Sequence, residues 1–275
     1  MSESVVPMPA ADRRAFIQDW KAWHLTREAT LSDPFGWLSV TDMHWLDTTA
    51  RRFADIPGQW ASTETGVWVQ LPETEELFVD GGQVTGFHNF GALRERQSIT
   101  VRTADFAVEI ARRGGGDLIR SRRPDAPALK AFSGVPTFEP DPRWQLAGMF
   151  IPNRRPVTVA SVLERVQHTY DSPGSLEFDL AGRTHRLTAF PGKEPNSFQV
   201  LFTDKTTGSA TSALCRTMFV APPASDGSVL LDFNRAVNMP CSFTRHATCP
   251  LPPPQNRLPF AVEAGEKEYV PGAAG

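Results

Sequence analysis

Asp232, Asn234, Asn238, Asn256 and Arg257 stand in one proline-rich stretch near the C-terminal end of the chain. Polar groups of this kind are costly to bury alone, at about 1–3 kcal/mol for each unpaired group. Prolines supply no N–H, so the carbonyls around them need other donors. Asparagine offers a donor and an acceptor, and arginine offers five donors. The five side chains can therefore serve their own backbone and make the stretch a rigid strap. They can also wall a pocket, because the planar arginine fork holds a carboxylate or phosphate through two bonds. Both uses require the five to lie close in space.

Three cysteines and a histidine offer a second chemistry. Cys241, His246 and Cys249 have the spacing C-x4-H-x2-C, with Cys215 as a possible fourth group. Zinc sites usually contain a close C-x2–4-C pair, which is lacking here, so no metal is expected. Three Cys is an odd, low count, which disfavours a disulfide scaffold and leads us to expect reduced thiols. A Cys241–Cys249 bridge is allowed by spacing but not expected in a reducing compartment. Nucleophilic catalysis needs a base beside Ser or Cys. No G-x-S-x-G occurs, and Ser172-Pro173-Gly174-Ser175 reads as a turn. Gly114-Gly115-Gly116 is not followed by G-K-[ST] and reads as a hairpin tip rather than a phosphate loop. No cofactor is expected, and neither an enzyme nor a binding protein is excluded.

The 275 residues are 40% hydrophobic and 21% charged, an ordinary globular balance, and the net charge of −3 provides no basic field for nucleic acid or an anionic membrane. No apolar run approaches the roughly 20 residues of a spanning helix. The segment MSESVVPMPAADRR lacks the cationic start and apolar stretch of a signal peptide, so a cytoplasmic location is expected. Eight arginines face four carboxylates between 94 and 123, preceded by an acidic stretch from Glu64 to Asp80. The expectation is two complementary, solvated faces of one β module, since only Phe106 interleaves the arginines.

The elements that must position these groups are mostly strands. Residues 1–11 read as a disordered lead. Phe16, Trp20 and Trp23 recur at helical spacing, and Ser32-Asp33-Pro34 ends the pattern, so a helix is expected over 12–33. Trp20 and Trp23 should be buried against the β body. A first β module is expected over 34–124, a packed proline-rich connection over 125–142, a second β module with the strap over 143–267, and a tail over 268–275. In the second module, strands are expected at 157–163, 166–170, 176–180, 185–190, 198–202, 212–220 and 229–233. The fold class is mainly β: an N-terminal α-helix, antiparallel β sandwich or barrel modules, and a proline-rich C-terminal strap.

The strap carries a resemblance. Leu231-Asp232-Phe233-Asn234-Arg235-Ala236-Val237-Asn238-Met239-Pro240-Cys241, then Cys249-Pro250-Leu251-Pro252-Pro253-Pro254-Gln255-Asn256-Arg257-Leu258-Pro259, then Ala264-Gly265-Glu266-Lys267, resembles the signature of the bacterial domain-of-unknown-function family 1684. Gly36-Trp37-Leu38-Ser39-Val40 with His44-Trp45-Leu46 is similar to its N-terminal segment. Asp204, Thr206, Gly208 and Arg216 match its D-x-T-x-G turn and following arginine. The chain departs from the pattern at Cys215, where a small residue is usual, at Met239, where proline is usual, and at His246, where an aromatic residue is common. The resemblance adds Arg216 to the candidate ligand group, which becomes Arg216, Asp232, Asn234, Asn238, Asn256 and Arg257. Two functions follow. One is a small-molecule binding protein or enzyme with a β-barrel pocket beside the strap, taking an anionic or carboxylate ligand. The other is a non-catalytic structural or interaction domain in which the strap only stabilises the fold.

Overall fold

The computed structural model describes residues 10–164 and 166–271. Residues 1–9 of the lead expected over 1–11 lie outside them, and residues 10 and 11 are helical. Helix α1 (Ala10–Leu31) begins two residues before the expected start and turns its aromatic stripe inward. Trp20 is only 7% exposed and donates its indole N–H to the Asn234 carbonyl at 2.9 Å. Trp23 is half-buried, with the Arg235 guanidinium over its ring.

The first module has two antiparallel sheets. One runs β1 (Val40–Trp45), β10 (Gly116–Arg122), β9 (Ala107–Arg113), β8 (Ser98–Arg102), β5 (Leu77–Val79), β6 (Gly82–Val84) in spatial order. The other runs β2 (Arg51–Phe53), β3 (Ile56–Thr63), β4 (Gly66–Gln70), β7 (Phe87–Gly91). Trp60, Val67 and Val69 from the second sheet share a core with Val101, Val108, Ile110 and Ile119 from the first. The alternation of β9 sends Val108 and Ile110 into that core. Its other face carries Glu109, which sits opposite Arg120 of β10. That face is buried as well, which strict sandwich alternation would not produce. The second module covers it.

The stretch over 125–142 follows. It holds a short helix α2 (Pro127–Lys130), a buried Val135 and a bridge from Thr137 to Glu266. The second module is one seven-stranded antiparallel sheet. Its order is β16 (Ser228–Asp232), β11 (Gln145–Ala160), β12 (Gln167–Leu180), β13 (Arg183–Pro191), β14 (Phe198–Phe202), β15 (Arg216–Val220), β17 (Val237–Asn238).

Several expectations are corrected here. The sheet ends at β16 and β17 and stays open, so no closed barrel forms among the described residues. The β11–β12 hairpin is longer than expected: the strands expected at 166–170 and 176–180 are one strand. Ser172-Pro173-Gly174-Ser175 is not a turn but the middle of β12. It lies opposite a register shift between Pro152 and Arg155, and the fully buried Ser172 hydroxyl donates to the carbonyls of Gly174 and Ala189. Gly174 has φ +156°, and a Cβ there would fall 2.2 Å from the Ile151 oxygen, so the close crossing requires glycine. The hairpin divides the apolar contacts into two clusters. Leu176, Phe178 and Leu187 join one around Phe233, while Val159 and Tyr170 join another around Cys215, Met239 and Cys249. The expected tail is also packed where it is described: Tyr269 is buried, with its ring 4.9 Å from Phe243 and 6.1 Å from Phe132.

Candidate functional site

The strap forms three hydrogen-bond networks around one core cluster. At its start, the Asp232 carboxylate accepts the Asn234 backbone N–H at 3.1 Å and its side-chain amide at 3.0 Å, fixing a 3-10 turn at Phe233–Arg235. Gln145 Nε2 donates to the same carboxylate at 3.0 Å. The Asn234 amide also exchanges two bonds of 2.9 Å with the backbone of Asp141. Farther along, Asn256 is fully buried and bridges two strands. It accepts from the Thr188 N–H and donates to the carbonyls of Thr188 and Leu201, all within 2.7–2.9 Å.

The third network centres on Arg216, which is 1% exposed. Its guanidinium pairs with Asp204 at 2.9 Å and donates to the carbonyls of Val262, Ala264 and Glu266. Asp204 accepts in turn from Thr206 N–H, Thr206 hydroxyl and Val262 N–H. The final segment thus wraps the arginine. Burial pushes the Arg216 pKa down, against the opposing pull of Asp204, and a buried charge of this kind persists only when paired. Gly265 makes the wrap feasible. It has φ +75°, and a Cβ there would fall 2.4 Å from the Ala236 oxygen. Beside it, the buried Glu266 carboxylate accepts Arg27 Nε at 2.8 Å and Asn238 N–H at 2.6 Å, while the Asn238 amide donates to the Lys267 carbonyl. Of the six sequence candidates, Arg216, Asp232, Asn234, Asn238 and Asn256 are engaged with protein groups. Arg257 is exposed, and its side chain has no partner among the described residues.

The arginine-rich stretch of the first module is only partly solvated: Arg94, Arg96 and Arg102 are exposed, whereas Arg113, Arg120 and Arg122 turn inward. Glu109 accepts from Arg122 at 2.5 Å, Arg120 at 3.3 Å and Arg113 at 3.4 Å. Burial would raise the Glu109 pKa, but Arg122, Arg120 and Arg113 together hold it below the usual carboxylate range. Arg120, fully buried, reaches across to the second module, donating to the His246 carbonyl at 2.8 Å and the Thr248 hydroxyl at 3.2 Å. Arg120 and Arg122 also lie over the Trp37 ring. Nearby, the His168 Nε2 sits 2.7 Å from the Thr248 carbonyl, and burial pushes its pKa down. These groups form the seam between the modules.

A cleft lies elsewhere. It encloses about 710 Å³ where the β11 register shift, the middle of β12, the 192–197 turn and Pro223 meet. Phe150 and Phe198, with ring centroids 4.6 Å apart, form its apolar floor, and Pro152, Pro173, Pro191 and Pro195 line its walls. Arg154, Asp171, Lys193 and Glu194 stand on its rim. All four are exposed, and none of the four side chains makes a hydrogen bond or ion pair with a described residue. Lys193 contacts the half-exposed Phe219 ring at 5.8 Å, across a smaller adjoining hollow of about 340 Å³. None of the six candidates lines either hollow. Proline and phenylalanine interleaved with both charge signs were the available signal. Read along the chain, they were ordinary turn residues. Only the hairpin bend places Pro152 opposite Gly174, on the side of the sheet that meets the 192–197 turn. Among the described residues, no three His, Cys, Asp or Glu side chains come together as metal ligands.

The fold defines an antiparallel β protein of two packed modules braced by a helix and a strap. The family model described as "Protein of unknown function (DUF1684)" matches residues 130–267, which span the second module and the whole strap, and the chain belongs to that family. Among solved structures it is similar to an uncharacterized protein of Haloarcula marismortui, determined by solution NMR. The two are 34% identical over 50% of this chain and 78% of that one, with a TM-score of 0.43. No curated protein matches.

Proposed function

We propose that the chain binds a small amphipathic molecule in the cleft floored by Phe150 and Phe198. The observation that carries this reading is the rim. Four charged side chains of both signs stand around an apolar floor with no ion-pair partner among the described residues, whereas buried charges such as Arg120 and Arg216 are paired. The volume suits an organic ligand, and sites of this kind combine apolar walls with a few polar groups that fix orientation. Arg154 and Lys193 would receive a carboxylate or other anion. Asp171 and Glu194 would receive an amine or hydroxyl. In this reading the strap keeps a structural role, because its polar side chains already satisfy backbone groups.

The test is a titration with 3-phenylpropionate, phenylalanine and phenethylamine, followed by NMR. The anionic and zwitterionic probes are expected to shift resonances of Phe150, Ser197 and Phe198. Lys193→Glu should weaken them at least tenfold, about 1.4 kcal/mol. No shift in the cleft at millimolar probe would reject the reading in favour of a purely structural or interaction domain.

A further inference from the structure

We propose that Cys241 and Cys249 are a redox-modifiable dithiol, in which a peroxide oxidises Cys241 and Cys249 closes a disulfide across the strap. The pair is built by the strap itself. Cys241 sits in a 3-10 turn at Pro240–Ser242, and its backbone N–H donates to Cys249 Sγ at 3.3 Å, which brings two residues eight apart into contact. Their environments differ. Cys241 is half-buried and Cys249 is buried, among Met239, Ala247, Val159 and Tyr170. All three cysteines are free thiols. A hydrogen bond from the Cys249 thiol holds the Cys241 pKa below the usual thiol value, and the same bond, together with burial, holds Cys249 well above it. Cys215 is fully buried, and burial pushes its pKa up, so it stays protonated. Thiolate character and access together select the thiol that reacts first, and Cys241 has both.

The chemistry balances with one peroxide. The ionised Cys241 sulfur attacks a peroxide oxygen, the O–O bond breaks, and the departing oxygen takes up the proton that Cys241 released. The product is a sulfenic acid. The Cys249 sulfur then attacks the Cys241 sulfur, the S–O bond breaks, and the hydroxide leaves as water with the Cys249 proton. Two thiols lose two electrons, and the peroxide gains them. The bridged loop contains His246, whose carbonyl takes Arg120, and Thr248, which meets both Arg120 and His168. Closing its ends therefore constrains the part of the strap that holds the two modules together, and the midpoint of thermal unfolding should rise.

The experiment treats the purified full chain with hydrogen peroxide and maps its peptides without reduction. The expected result is one free thiol left of three when counted in denaturant, a mass lower by about 2 Da, and a peptide joining Cys241 to Cys249. Dithiothreitol should restore all three thiols. Cys249→Ser should leave a sulfenic acid that dimedone traps at Cys241, and Cys215→Ser should change neither result. The wild-type peptide map decides the connectivity even if a variant fails to fold. Three unreacted thiols, a bridge that uses Cys215, a bridge between chains, or direct over-oxidation of Cys241 would each overturn the proposal.

Discussion

Arg216 and Arg257 belong to one motif-bearing half of the chain, yet their surroundings assign them opposite weights. Arg216 meets a carboxylate and three carbonyls inside the protein, so its removal leaves Asp204 buried and uncompensated. Arg216→Ala is expected to cost about 3–5 kcal/mol, as for a buried ion pair that loses one partner. Arg257 is exposed and its side chain has no partner among the described residues, so Arg257→Ala should change stability by no more than about 0.5 kcal/mol. Urea denaturation of both variants checks the contrast, and equal effects would contradict the wrapped-arginine account. The need for partners was legible in the residue types. Which arginine met the need was not, because Asp204 and the carbonyls of 262–266 reach Arg216 only after the last segment folds back.

Helix α1 is held by tethers rather than by a broad apolar face. Trp20 donates to Asn234, Arg27 pairs with Glu266, Arg235 pairs with Asp19, and Glu28 accepts the Val135 N–H at 3.1 Å. Every one of these ties runs to the strap or to the connection before the second module. The helix therefore braces the C-terminal half, although it stands at the other end of the chain. Trp20→Ala should destabilise by about 3–5 kcal/mol, since a large buried ring and a hydrogen bond are lost together. Trp23→Ala should cost less, because that ring is half-exposed beneath Arg235. Thermal unfolding of the two variants measures the order, and a reversed order would show that Trp23 is the principal anchor. The aromatic spacing announced the helix and its inward face. It carried no information on the partner, which lies more than two hundred residues away.

The seam between the modules makes the stability of the entire protein depend on pH. Glu109 has a folded pKa below its ordinary value, held there by Arg122, Arg120 and Arg113 against the cost of burial. Such a group contributes its full stabilisation above the unfolded value of about 4.3 and loses it as pH falls through the folded value. His168 is also held low, by burial, so the folded protein stays neutral there while the unfolded chain takes a proton below about pH 6.5. Stability should therefore decline in two stages on acidification, first below about pH 6.5 and then below about pH 4.3. Glu109→Gln should lower stability at neutral pH, because three arginines then share no carboxylate, and should flatten the second stage. Thermal unfolding between neutral and acidic pH tests this, and an unchanged acid limb in the variant would remove Glu109 from the account.

The period of apolar residues determined the mainly β class and the N-terminal helix, because alternation and helical spacing are local properties of a chain. The strap's composition likewise determined that it must satisfy its own backbone. The tertiary structure decided what depends on distant pairing. It left the second sheet open at β16 and β17, turned a Ser-Pro-Gly-Ser run into the bend of a long strand, and closed Arg120 and Glu109 into a seam. It also placed the unpaired charges beside Phe150 and Phe198, away from the strap. Register, burial and charge pairing between such segments depend on which residues meet across the fold, and a one-dimensional pattern does not contain that.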